Sequence, residues 1–123
     1  RNRRLITFQK VSPSVDALTE ALKKLKDITI PEKMIVTELE VFYINLSKIL
    51  KLFLMNKFFF NAMNMTTSEI IIYLNNNNLY NAALERIFIE ADLCKFAQRK
   101  VRVTQLITTK NTVRRVLEEL DMN

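Results

Sequence analysis

A chain of 123 residues, 49% of them apolar, is the size of one domain and has material for a real core. It contains no glycine and no histidine, which excludes Gly-rich phosphate loops, Ser-His and Cys-His nucleophile systems and nearly all zinc-enzyme sites. Its net charge of +6 fits nucleic acid, an anionic membrane face, an acidic partner, or no specific partner at all.

The single cysteine, Cys94, cannot form an internal disulfide and suits a reducing compartment. No apolar run approaches the ~20 residues that a spanning helix needs. The chain opens on Arg1 rather than Met, as expected of a piece of a longer protein.

Residues 1–11 read as a basic arm or linker, and residues 12–123 as a helical domain. The arm carries Arg1, Arg3, Arg4 and Lys10 and no acid. Its Leu5, Ile6 and Phe8 are suited to pinning it onto the body. Ser12 as N-cap and Pro13 at the first helical position predict the start of a first helix. Val15, Leu18, Leu22 and Leu25 recur at helical spacing, and Lys23, Lys24 and Lys26 complement the dipole of the last turns. Pro31 breaks the pattern.

A long second helix is predicted from Pro31 or Glu32 to Lys57. Leu39, Phe42, Tyr43, Leu46, Ile49, Leu50 and Phe53 form its core face. Val41, Ile44, Leu52 and Met55 lie on roughly the other side, interrupted by Lys48. This second stripe is either covered within the chain, by the arm or another helix, or a candidate surface for a partner. Phe58, Phe59 and Phe60 then lead into an irregular crossing. There the rings are expected in the core, and Asn61 and Asn64 are the candidates for left-handed backbone.

Thr66 followed by Glu69 predicts a capping box and a short third helix bearing Ile70, Ile71 and Leu74. The run Asn75–Asn78 predicts its end. A fourth helix is expected over 79–99, with one apolar stripe at Leu84, Ile87, Ala91 and Cys94 and another at Ile89, Leu93 and Phe96, the pattern of a central bundle helix. Asp92 and Lys95 read as a surface pair, and Cys94 as a small buried hydrophobe. A last helix starts near Thr104 or Thr108 and turns Leu106, Val113, Val116, Leu117 and Leu120 inward. The whole is expected to be an all-α, compact bundle of about five helices.

Two segments resemble a known family. Phe42-Tyr43-x-x-Leu46-Ser47-x-Ile49-Leu50 followed by Met65-Thr66-Thr67-Ser68-Glu69 resembles "FYxxLSxILRxYLExRFGIP…MTTxE". Ala91-Asp92-Leu93-Cys94-Lys95-Phe96-Ala97 resembles "ADLVKFA". Together, over roughly residues 12–120, they resemble the C-terminal cytosolic domain of BatD-type membrane proteins of the aerotolerance operon. The family's "RFGIP" is Lys57-Phe58-Phe59-Phe60-Asn61 here, with neither Gly nor Pro.

The resemblance implies a helical domain on the cytoplasmic face of a bacterial inner membrane, tethered by a single span in the full-length protein. Arg1, Arg3, Arg4 and Lys10 would be its membrane-proximal basic flank. It implies protein partners, among them a MoxR-type AAA+ ATPase and von Willebrand A proteins. No catalytic residue, cofactor, metal or small-molecule substrate is expected. The alternative is a basic helical nucleic-acid-binding protein, motivated by the net charge and by Lys100, Arg102, Arg114 and Arg115. Against it, Glu118, Glu119 and Asp121 stand beside the last two.

Overall fold

The helical periodicity is realised as five α-helices in the computed structural model, which describes residues 16–33, 35–96 and 101–123 (Lys95 and Phe96 by backbone alone). In chain order they are α1, Ala17–Lys26; α2, Val36–Phe58; α3, Thr67–Asn76; α4, Ala82–Phe96; and α5, Val103–Asp121. A single 3₁₀ turn, Ala62–Asn64, lies between α2 and α3, and no strand occurs among the described residues. The chain is thus an all-helical bundle.

The predicted core face of α2 is the core. Leu39, Phe42, Tyr43, Leu46, Ile49, Leu50, Phe53 and Leu54 are all buried. Around them pack Ala21 and Leu25 of α1, Ile70 and Leu74 of α3, Leu84 and Phe88 of α4, and Leu106, Val113 and Leu117 of α5. Polar ties fix the helix directions. Lys57 bridges Asp121 at 3.2 Å, so α2 and α5 end together and run parallel. Asn81 donates to Glu119 at 3.0 Å, placing the start of α4 against the end of α5. The Thr67 hydroxyl donates to Asp92 at 2.7 Å, which lays α3 antiparallel to α4.

Helix starts differ from the predicted ones, each for a local reason. Asp16, not Ser12, caps α1, its carboxylate accepting from the Thr19 N–H at 2.7 Å; Ser12 and Pro13 lie outside the described residues. Helix α2 starts at Val36 rather than at Pro31 or Glu32. Pro31 is buried, Ile28 and Ile30 pack on the core, and Lys110 donates to the Ile28 carbonyl at 2.6 Å. Tertiary burial therefore holds this connection out of the helix. Helix α4 starts at Ala82 because the Asn81 side chain accepts from the Leu84 N–H at 3.0 Å; its expected end at Arg99 lies outside the described residues. Helix α5 starts at Val103, where Gln105 accepts from the Arg102 N–H at 2.7 Å. That is half a capping box, since an Arg side chain offers no acceptor for the other half.

Thr66 and Glu69 form the predicted box in full: Thr66 accepts from the Glu69 N–H at 3.2 Å, and Glu69 accepts from the Thr66 N–H at 2.8 Å. At the other end of α3, Asn78 takes a left-handed backbone (φ 58°) and the Leu79 N–H closes on the Leu74 carbonyl at 2.8 Å. This is a Schellman-type ending with Asn in the place Gly usually takes.

The second left-handed residue is Phe59 (φ 60°, ψ 41°), not Asn61 or Asn64. Its N–H still bonds to the Met55 carbonyl at 2.9 Å, so the residue ends α2 and reverses the chain. Of the three phenylalanines expected to pack on the core, two do and one does not. Phe58 packs edge-on to Phe53 and Phe60 stacks on Tyr73, but Phe59 is 88% exposed. In left-handed backbone its side chain leaves in a direction the core does not fill.

These features predict stability changes measurable by urea unfolding. Leu50→Ala, at a fully buried site, should cost about 3 kcal/mol, and Thr66→Ala about 1 kcal/mol. Phe59→Gly should instead raise stability by roughly 0.5–1 kcal/mol. It relieves a left-handed penalty of about 1–2 kcal/mol against a smaller unfolded-state cost of Gly. Phe59→Ala, which keeps the Cβ, should give no such gain.

Candidate interaction surface

The second stripe of α2 divides in two. Val41, Lys48 and Met55 recur every seven residues and therefore lie along one outer line of the helix. Val41 is 52% exposed, Lys48 is exposed and Met55 half-buried. Ile44 is also half-buried, one turn from Val41. Leu52 turns instead toward α1, lining a seam with Ala17, Ala21 and Lys24. Three of the four candidate partner residues thus share the outer face, and Leu52 belongs to the α1–α2 seam.

Beside Val41 the surface opens into a groove of about 390 Å³ between the α1–α2 connection and the first turns of α2. Its floor is apolar, formed by Ile28, Pro31, Val41 and Phe42, and Asp27 and Glu38 stand in its walls. Pro31 and Ile28 are drawn inward, α2 begins late, and α1 stops at Lys26, so that no described helix covers the first turns of α2 on that side.

A second apolar surface went unread as such in the sequence. The stripe of α4 that includes Ile89 and Leu93 faces outward, at 43% and 46% exposure, while Phe88 turns into the core beside Ile87. Helix α4 therefore buries one side rather than two. The side chain of Phe96 lies outside the described residues. Periodicity alone does not separate these cases, because an apolar stripe has the same spacing whether a neighbour covers it or not.

Asp92 accepts from Thr67 rather than standing in an open surface pair, and the Lys95 side chain lies outside the described ones. Cys94 is buried. Arg114 and Arg115 are exposed beside exposed Glu118 and Glu119, so that stretch of α5 presents both signs. Arg1, Arg3, Arg4 and Lys10 lie outside the described residues, as does Lys100. Among the described residues, no three His, Cys, Asp or Glu side chains come together in a way that could hold a metal ion. Among them, too, no helix is long and apolar enough to cross a membrane.

Two exposed groups have shifted acidity. The Thr19 backbone N–H, then the Thr19 hydroxyl and more weakly the positive charge of Lys57, hold the Asp16 carboxyl below its usual value. The hydrogen bond to Glu85 holds the Tyr80 phenol above its usual value. Both are local contacts at helix starts.

No family model matches the chain, and no curated protein and no solved structure is similar to it.

Because the Asp16 carboxyl is depressed in the folded chain, its cap is in place above the ordinary carboxylate value near 3.8 and is lost as the pH falls through the lower folded value. The protection of the Thr19 and Glu20 amides against hydrogen exchange, relative to an unstructured chain at the same pH, should fall over that acid range. Asp16→Asn, which keeps the acceptor without the titration, should remove this pH dependence.

Proposed function

We propose that this chain is a non-enzymatic protein-interaction domain, held at the cytoplasmic face of a bacterial inner membrane by a single-span protein. Its partners would be a MoxR-type AAA+ ATPase and von Willebrand A proteins. The observation that carries this reading is the backbone of Phe59. Where the BatD-type pattern "RFGIP" has its glycine, this chain has a residue in the left-handed conformation that glycine favours. A turn of this kind is therefore present without the residue that usually makes it. The Thr66–Glu69 box, in the segment that resembles "MTTxE", starts the next helix.

The non-enzymatic part is supported by composition. With no histidine, a base would have to be recruited from carboxylates or lysines, and among these Asp92, Glu119, Lys57 and Asp121 are engaged in interhelical ties. The interaction part is supported by the outer line of α2, where Val41 is exposed and Met55 half-buried on a helix whose other side is fully used. Nucleic-acid binding is less well supported, because Arg114 and Arg115 stand beside carboxylates instead of forming one positive face.

Two measurements test the proposal. The residues encoded upstream of Arg1 should include one apolar span ending close to it; a gene without such a span removes the tether. The purified chain should also bind the MoxR-type ATPase encoded nearby. Val41→Lys with Met55→Lys should weaken that binding at least tenfold with unchanged helicity. Full binding by the doubly substituted chain would rule out the α2 face.

A further inference from the structure

The groove beside Val41 has a chemistry that selects its occupant. Its floor is apolar, and the charged side chains lining it are both acidic, Asp27 and Glu38. Neither takes part in an ion pair among the described residues. Such a site fits a segment that brings bulky apolar side chains flanked by cations.

The chain contains a segment with that pattern. Residues 3–10 read Arg-Arg-Leu-Ile-Thr-Phe-Gln-Lys, three large apolar residues between Arg3 and Arg4 on one side and Lys10 on the other. No acid occurs before Asp16. The segment is also within reach. Asp16 caps the start of α1, and the groove lies at the far end of that ten-residue helix, about 15 Å away along its axis. The eight residues from Phe8 to Asp16 span up to about 26 Å when extended. Tethered this closely, the segment is present at an effective concentration on the order of millimolar, so weak contacts suffice to seat it.

We propose that residues 3–10 of the chain seat in the groove of their own molecule, with Phe8 and Leu5 or Ile6 over Val41 and Phe42 and the flanking cations toward Asp27 and Glu38. This contact does not depend on a membrane tether or on any partner protein. A chain with no span before it would make it equally. A partner using Val41 would first have to displace the segment, which makes the arm a built-in competitor for that end of the outer face.

The test uses the full chain carrying Phe8→Trp. The protein has no tryptophan, so emission reports on that position alone. Emission should be blue-shifted, and acrylamide quenching several-fold weaker than in a free peptide of residues 1–15 with the same substitution. Adding Val41→Asp, at a site exposed enough to tolerate it, should return both readings to those of the peptide. Asp27→Lys with Glu38→Lys should do the same by charge. Peptide-like emission in the Phe8→Trp chain overturns the proposal. So does a blue shift that survives both groove variants, which would place the segment elsewhere. A blue shift that grows with protein concentration also overturns it, since the occupant would then be a second copy's arm.

Discussion

Burial of one side of α2 is the constraint on which the rest depends. Helix α2 contacts α1, the 3₁₀ turn, α4 and α5, and its eight buried side chains are the shared floor of the core. Leu46, Leu50 and Leu54 are wholly removed from water, each contributing on the order of 1.5–3 kcal/mol of transfer free energy. The interhelical polar ties are secondary in energy. The Lys57–Asp121 pair is partly solvated and contributes under about 1 kcal/mol. Such ties decide which ends of the helices meet, while the apolar face decides that they meet at all.

A chain without glycine must make its reversals with residues that carry a Cβ. Among the described residues it uses left-handed backbone for this at two places, Asn78 and Phe59, and the two solutions differ. At Asn78 the left-handed backbone is tolerated by a short polar side chain, and the following Leu79 packs onto the core. At Phe59 nothing in the side chain favours the conformation. It is imposed by its neighbours: Phe58 is held against Phe53, and Phe60 against Tyr73, with ring centroids 3.8 Å apart. The two flanking aromatic contacts fix the path, and the middle residue takes the backbone that joins them.

Much of this architecture was legible in the residues. The core face of α2, the Thr66 box, the Asn-rich end of α3 and the inward residues of α5 all follow from spacing and capping chemistry, because their causes lie within one or two helical turns. What was not legible depends on distant chain. The late start of α2 comes from burying Pro31 and from Lys110, 82 residues away from its acceptor at Ile28. The outward stripe of α4 comes from no other described helix packing on that side, which no local pattern encodes. For the candidate surface, spacing placed Val41, Ile44, Leu52 and Met55 together, whereas α1 takes Leu52 for its own seam. The groove was not legible at all, since it exists only where one connection folds inward beside the start of another helix.

The contact of α1 with α5 has a consequence for how the chain is made. Helix α1 is synthesised first of the five and α5 last, yet they pack against each other, and Lys110 reaches back to the α1–α2 connection. As the chain leaves the ribosome, α1 and α2 can pair as a hairpin, but the surface meant for Leu106, Val113 and Leu117 stays open until α5 has emerged. The nascent bundle therefore carries an unfilled apolar face while α3 and α4 are being made. Its core closes only with the last of the five helices, and a chaperone that shields apolar hairpins would find its substrate in the partly made bundle.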